Sequence, residues 1–500
     1  MSKATKKKSS NKAKSVTGEV IPAGEAETVR KRHPIGAVLH VFLAAIDDYR
    51  ELVNVAIPAL ARVHDDSWKK AVARLDSFVE KKLGDGARQF IAKGVHAGRD
   101  LIEISREIER LGKSRLLPSM ARSVFIGIFS EYDNFVGGLL KAAYLCKPEL
   151  FKSIKREIAL TELLDFGDLD AVKRDMLEKE IDSFRRESYV EQFAELERKF
   201  EIRTLREFAE WPKFVEMSQR RNVMTHNGGL VSEQYLKVCD REGYIFEKRP
   251  AVGEELRLPP SYMTDTLLIV SKVGFMLAHT LWRKLLPADD GEADSALNEA
   301  LYNLLLQKRW KTASEFGRFG LTGAMLKNAR EIDKRIRLVN TAIALKKLKK
   351  NGDAVALLNG VDWSACIREF KLAIAVLKQD YIAAAKVMQD IGKKGELLDQ
   401  MAYHDWPLFE EFRDRSEFQL AYEKIYGIPF VQKVSEDTQK TSEILKNEMQ
   451  QSRVISAPFS ESAKTSRKSV REGTAILPSK KPRVTSGLRK SGKQSIQKTV

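Results

Sequence analysis

The 500 residues of the chain are 43% hydrophobic and carry a formal net charge of +17. A chain of this length and composition favours two or three folded units, each able to bury a hydrophobic core. The cysteines stand far apart without a CxxC pair, which excludes a disulfide framework and a cysteine-based zinc site and favours a reducing compartment: Cys146, Cys239 and Cys366.

The positive charge is concentrated at the two ends of the chain. Residues 1–33 contain nine Lys/Arg against three Glu, and residues 461–500 contain eleven against two. Both ends are rich in Lys and Ser and poor in aromatic residues, so residues 1–33 and 431–500 are predicted to be disordered basic tails. Two interpretations stay open: a weak, salt-sensitive affinity for nucleic acid or an anionic surface, or a solubilising role without a defined partner.

No segment has the pattern of a membrane span or a signal peptide. The apolar run at residues 35–46 is too short to cross a bilayer, and it follows a polar leader that is too long and partly acidic for a signal peptide. The run at residues 266–282 is interrupted by Ser271, Lys272 and His279, which is typical of a buried helix. The sequence therefore predicts a cytoplasmic protein without a membrane partner.

Helical periodicity dominates the chain between the tails and predicts an all-α fold. Residues 34–117 are predicted to form several helices, punctuated by Pro58 and by Gly84 and Gly86, and no chemistry is assigned to them. The next helix is predicted to end at Lys147-Pro148. Beside its wide apolar face lies a narrow stripe of small or polar residues, where another helix could approach closely: Gly127, Glu131, Asn134 and Gly138.

The middle of the chain is predicted to contain four further helices and one short hairpin. The charged stretch at residues 168–208 predicts two helices with solvated outer faces. Proline in Trp211-Pro212 favours a helix start, and Asn227-Gly228-Gly229 favours a helix end because these residues tolerate left-handed backbone. Residues 243–260 are predicted to form the one β-hairpin, followed by a helix that begins near Tyr262.

Residues 293–428 show a repeated pattern of an apolar helix end, a short polar turn and a second apolar helix. The three instances are LLLQKRWKTASEF, LKKLKKNGDAVALL and IAVLKQDYIAAAKVM, in which Trp310 matches Tyr381 and Ala313 matches Ala384. Their intervals bracket the roughly 34 residues of tetratricopeptide repeats, which they resemble. Such repeats bind proteins or peptides on a concave face, so a protein partner is predicted here. The alternative is an ordinary helical bundle.

The helix predicted to end at Asn227 carries an arginine on an apolar stripe. Phe214, Met217, Arg221 and Met224 follow the spacing of one helical face, and an arginine is almost never fully buried without a partner. His226 lies five residues after Arg221. The structural interpretation is that Arg221 reaches a local carboxylate such as Glu131, while His226 caps the helix end.

The functional interpretation is that Arg221 and His226 meet around one phosphate. Arginine holds phosphate oxygens with a planar fork of donors, histidine exchanges protons near neutral pH, and the Asn222 amide can orient a hydroxyl or phosphate oxygen. A base, an acid and a cation suffice for cleavage of RNA by its own 2′-hydroxyl. This reaction needs no metal, so we predict neither a metal site nor a cofactor, and DNA should not be cleaved.

The motif and the helices around it resemble the HEPN family. The signature is Arg221, the polar Asn222, three variable residues and His226, followed by Asn-Gly-Gly, and the resemblance covers residues 118–286. It implies a helical bundle that dimerises and brings two motif helices together. It also implies a metal-independent endoribonuclease, often a toxin or an effector of defence against phage.

The roles expected within this site differ from residue to residue. His226 is expected to act as general acid and base, Arg221 to stabilise the phosphorane and Asn222 to position the substrate. Supporting roles are expected for Glu131, Arg220 and Thr225. The alternative function is a non-catalytic scaffold in which a HEPN-like bundle binds RNA or a nucleotide and residues 293–428 recruit protein partners.

Overall fold

The computed structural model describes residues 32–82, 88–90 and 96–430. The predicted basic tails lie outside the described residues, apart from Arg32 and His33. The described residues up to Phe430 belong to one compact unit. One connected cluster of buried apolar side chains runs through this unit from Ile35 to Tyr422.

The described chain is built almost entirely from α-helices, which confirms the all-α prediction. The first ten are α1 (Pro34–Glu51), α2 (Ile57–Asp76), α3 (Ala97–Gly112), α4 (Leu116–Cys146), α5 (Leu160–Leu164), α6 (Leu169–Arg186), α7 (Tyr189–Phe200), α8 (Trp211–His226), α9 (Glu233–Arg241) and α10 (Pro260–Leu285). The others are α11 (Asp290–Leu306), α12 (Trp310–Gly320), α13 (Gly323–Leu326), α14 (Glu331–Lys347), α15 (Asn351–Asn359), α16 (Arg368–Leu377), α17 (Tyr381–Ile391), α18 (Ala402–Asp405) and α19 (Ser416–Tyr426).

The N-terminal region departs from the sequence prediction in two ways. Pro58 does not end a helix, because a π-helical turn at Leu52–Ala56 joins α1 to α2 and Pro58 occupies the first turn of α2. Such turns accommodate a position where proline removes a backbone donor. A short antiparallel pair of strands, β1 (Val79–Lys82) and β2 (Arg88–Phe90), then follows where only helices were predicted.

The prediction of a β-hairpin at residues 243–260 is wrong. Within the described residues this stretch contains no named strand and instead pairs with the connection that follows α8. Leu230 and Glu255 form an isolated β-bridge, flanked by a 2.9 Å hydrogen bond from Val231 N to Glu254 O and another from Leu256 N to Gly229 O. The backbone of this segment therefore bonds to residues about 25 positions earlier in the chain. A local alternation of apolar and polar side chains cannot predict such a partner.

Helix α4 lies at the centre of the bundle that carries the motif, with α1, α6, α8 and α10 packed around it. The small stripe on α4 does admit a close neighbour. A Cβ at Gly127 would collide with the Tyr49 side chain, and one at Gly138 would lie 3.3 Å from Val38 Cγ1. The predicted close approach is thus confirmed, and the helix that makes it is α1.

Three helical hairpins within residues 293–428 share one turn geometry. A single residue in each turn adopts left-handed backbone, with φ of 58° at Lys308, 62° at Lys349 and 61° at Gln379. These turns join α11 to α12, α14 to α15 and α16 to α17. The fourth residue of each second helix is an alanine exposed by 1% or less: Ala313, Ala354 and Ala384. The predicted hairpins are confirmed, and a regular superhelical array stays a prediction.

Buried charges connect α10 with these hairpins. The side chain of Arg337 on α14 is fully buried and lies 2.7 Å from Asp294 Oδ1 on α11, which also pairs with Arg283 of α10. His279, one turn before Arg283, is fully buried, and neither ring nitrogen has a hydrogen-bond partner among the described residues. Burial lowers the pKa of His279 well below its usual value, and the charges of Arg283 and Arg337 lower it further.

We expect a His279→Leu variant to lose less stability in acid than the unchanged chain. The unfolded imidazole binds a proton near pH 6.5 and the folded one does not, so protonation favours unfolding as the pH falls below that value. In the unchanged chain, a fall in pH from 7.5 to 5.5 should lower the free energy of unfolding by about 1.4 kcal/mol through His279 alone. Urea denaturation of both chains at the two pH values measures the difference. An equal loss in both chains would contradict a neutral, buried His279.

Candidate active site

The helix that carries the motif begins and ends where the sequence predicts. Pro212 lies in the first turn of α8, where its missing N–H leaves no backbone carbonyl unpaired. At the other end, Asn227 N and Gly229 N donate to Val223 O at 2.9 and 3.1 Å. Gly228 takes the left-handed conformation this closure needs, with φ of 63°. His226 is therefore the last residue of α8.

Arg221 is held between α8 and α4 by an ion pair. Its Nη2 lies 3.0 Å from Asp133 Oδ2, and its Nη1 donates to Asn222 Oδ1 at 3.1 Å. The Tyr189 hydroxyl of α7 donates to the other oxygen of Asp133 at 2.6 Å. The Arg221 side chain remains 24% exposed. The ion pair with Asp133 explains how an arginine can lie on a helical face whose other residues, such as Phe214, are in the core.

Asp133, rather than the predicted Glu131, is the carboxylate that fixes Arg221. Residues two apart on a helix point about 200° apart, so only one of the two can face α8. Glu131 lies on the side of α4 that faces α1, where its charge helps to raise the pKa of Tyr49 after the larger effect of burial. The carboxylate of α4 that pairs with Arg221 is therefore Asp133 and not the predicted Glu131, and a supporting carboxylate at a catalytic site stays a prediction.

A second arginine approaches Asp133 from α6. Arg185 Nη2 donates to Asn134 Oδ1 at 2.9 Å, and the Arg185 side chain packs over Gly137. Burial raises the pKa of Asp133, while the Tyr189 hydroxyl and the charges of Arg221 and Arg185 oppose that rise. Two guanidinium groups thus act on one carboxylate.

His226 is exposed and forms no hydrogen bond or ion pair with any described residue. Asn222 lies one helical turn before it, on the same side of α8, and is already bonded to Arg221. The Thr225 hydroxyl donates to Arg221 O at 2.8 Å, and Arg122 of α4 donates to Met224 O. Asn222 therefore connects the Arg221 side of the helix to the His226 side, and Thr225 supports the helix backbone.

Arg220 does not join this polar surface. Its guanidinium bonds Glu216 Oε1 and Arg257 O, both at 2.8 Å, and lies 4.1 Å above the Tyr262 ring. The Glu216 side chain is fully buried and also accepts hydrogen bonds of 2.6 Å from the Tyr235 and Tyr262 hydroxyls. Arg220, which was predicted to support the site, pairs instead with Glu216, a residue that was not predicted. Their i,i+4 spacing on an apolar helix is a signal of such a pair.

The structure also shows where a ligand has room. The larger cavity that we describe has a volume of about 650 Å³ and lies between α1 and α11, and the smaller lies beside Tyr144. Neither is lined by Arg221 or His226. The motif therefore lies outside both of these cavities.

Among the described residues, no group of three or more His, Cys, Asp and Glu side chains is placed to hold a metal ion. In the same part of the chain, no helix combines the length and the apolar content needed to cross a lipid bilayer.

Comparison of the chain with protein-family models, with curated proteins and with solved structures gives no match.

Proposed function

We propose that the chain is a HEPN-like, metal-independent endoribonuclease that acts as a homodimer. The observation that carries the proposal is the anchored Arg221 beside Asn222, one turn from an exposed His226. Asp133 fixes the direction of the guanidinium, and an oriented cation stabilises developing charge without reorganisation during the reaction. His226 has no described partner that would compete with a substrate.

The proposed reaction needs two proton transfers. The ribose 2′-oxygen attacks the adjacent phosphorus and gives its proton to one His226. The bond from phosphorus to the 5′-oxygen breaks, and this oxygen takes a proton from a protonated His226 of the partner subunit. The products are a 2′,3′-cyclic phosphate and a 5′-hydroxyl. Arg221 faces the added negative charge of the phosphorane, and the Asn222 amide positions a phosphate or hydroxyl oxygen.

A second copy of the chain supports this chemistry in two ways. Each chain supplies one exposed motif histidine, so a dimer brings the two that the reaction uses. The connection that follows α8 also presents apolar surface, because Leu230 is 43% exposed. Contact between two such surfaces would cover that leucine and form a groove between the two motif helices. We therefore expect the active species to be dimeric in light-scattering measurements.

The test uses synthetic RNA in which one nucleotide at a cleaved position lacks its 2′-hydroxyl. Cleavage at that position should disappear while neighbouring sites are still cut, because only the modified ribose has lost its nucleophile. The remaining products should end in a 2′,3′-cyclic phosphate, and EDTA should not change the rate. Cleavage at the deoxy position, or of DNA, would contradict the mechanism.

The alternative is a scaffold that binds RNA or a nucleotide without cleaving it. The ion pair with Asp133 balances the charge of Arg221, and the described cavities lie away from the motif, which favours this second function. The same experiment separates the two, since a scaffold retains intact RNA on the protein.

Control of the site by the helical hairpins is part of the proposal. Asp265 of α10 lies 2.8 Å from Lys213 of α8 and 3.6 Å from Lys311 of α12. Lys272 of α10 bridges Glu210 and Glu315 at 2.8 and 2.7 Å. These ion pairs connect the start of α8 with the first hairpin, so a protein partner bound at residues 293–428 can influence α8. The family resemblance supports a cytoplasmic toxin or effector of antiviral defence as the setting.

A further inference from the structure

The larger cavity is a groove whose floor is apolar. It follows one face of α1 and one face of α11, and the Trp282 indole of α10 lies at its base. The α11 side includes small side chains, which leave room between the two helices: Gly291, Ser295, Ala296 and Ala300. The apolar and small residues that line it include Gly36, Leu39, Leu43, Trp282, Ala296 and Ala300. A groove of this form accepts a short segment that carries apolar side chains.

The charged residues of the groove are mainly acidic. Four carboxylates line it, Asp47, Asp289, Glu292 and Glu299, against the two arginines Arg32 and Arg330. Glu292 is exposed and forms no ion pair with a described residue. Among the described residues, Asp289 pairs only with an imidazole, through a 3.3 Å contact to His33 Nε2. The groove therefore favours an occupant that carries positive charge.

The described chain begins at this groove. Arg32 is its first residue, and Arg32 Nη2 lies 2.6 Å from Glu299 Oε1. His33 follows and stacks on Trp282 with ring centroids 4.3 Å apart. The 31 residues before Arg32 contain eight Lys/Arg and three Glu, with a short apolar stretch at residues 20–23. Residues 1–31 thus carry a net positive charge, which is complementary to the carboxylates that line the groove.

We propose that residues 1–31 fold back along α1 and occupy this groove, with residues 20–23 on its apolar floor and lysines beside Glu292 and Asp289. The reach is sufficient: the eight residues between 23 and 31 span up to about 26 Å when extended. The face of α1 between residues 32 and 44 is only about 18 Å long. Covalent attachment also raises the effective concentration of the segment to about the millimolar range, so a weak intrinsic affinity is enough.

Zero-length cross-linking of the full chain identifies the occupant. A carbodiimide joins lysines to carboxylates in direct contact, and an equal mixture of light and isotope-labelled chains separates links within a chain from links between chains. We expect links from the lysines of residues 3–14 to Glu292 or Asp289 within one chain. Links only from lysines of residues 431–500, links only between chains, or no links at the groove would each overturn the proposal.

Trypsin cleavage of residues 1–31 in the full chain provides a second readout. The double variant Glu292→Lys/Glu299→Lys should raise the cleavage rate about tenfold, because cleavage follows the population of the released segment. The variant Val20→Asp/Ile21→Asp should do the same without altering the folded body. The matched control Glu103→Lys/Glu423→Lys changes exposed carboxylates elsewhere and should leave the rate unchanged. Equal rates in all four chains would overturn the proposal.

Discussion

Replacement of His226 by alanine is expected to reduce the rate of RNA cleavage by at least about 100-fold, since positioned acid–base groups contribute roughly 10²–10⁴-fold. In the proposed dimer the substitution removes both the base that accepts the 2′-hydroxyl proton and the acid that protonates the 5′-oxygen. Rates with labelled RNA under single-turnover conditions measure the effect on chemistry apart from product release.

The control for this variant is a histidine with similar exposure and no proposed role. His96 is exposed and precedes α3, so His96→Ala should cleave RNA at the unchanged rate. Exposed substitutions change stability by only about 0.5 kcal/mol, so both variants should unfold at nearly the same urea concentration as the unchanged chain. A His226→Ala chain that still cleaves RNA at the original rate would rule out the proposed enzyme.

Replacement of Glu216 by alanine is expected to lower the free energy of unfolding by about 3–5 kcal/mol. The change leaves the Arg220 guanidinium without its carboxylate and two tyrosine hydroxyls without their acceptor. Burial, followed by the charge of Glu216, raises the pKa of Tyr235, so this hydroxyl keeps its proton and remains a donor. Urea denaturation followed by tryptophan fluorescence measures the loss.

Two matched variants show whether the loss belongs to the buried carboxylate. Tyr235→Phe removes one donor and should cost about 1 kcal/mol. Glu233→Ala removes an exposed glutamate of α9 that pairs with Lys237 at 3.2 Å, and it should cost less than about 1 kcal/mol. If Glu216→Ala were as stable as Glu233→Ala, the three contacts of Glu216 would not hold α8 to α9 and α10.

Local signals in the sequence predicted the ends and the faces of the helices well. Pro212 and Asn227-Gly228-Gly229 are cues within one turn of the helix ends that they predict, and both ends lie where expected. The polar turns of the three hairpins are equally local, because each depends on a few residues between two apolar stretches. Apolar spacing likewise identified the faces of α4 and α10 that lie in the core.

Contacts between distant parts of the chain were not predictable in the same way. The choice of Asp133 over Glu131 depends on how α4 is rotated against α8, and a two-residue offset reverses the side of the helix. Residues 254–256 pair with residues 229–231 because of the path between α9 and α10. The Glu216 contacts join three helices, and no single stretch of sequence contains them all. The dimer and the chemistry stay predictions.

The position of α1 has a consequence for how the protein is made. This first helix packs against α4, α10 and α11, so its partners include residues that are synthesised more than 200 positions later. The bundle around α4 therefore closes only after α10 has been synthesised. Because Arg221 and His226 lie on α8, the motif is synthesised before the helix that completes the bundle around it.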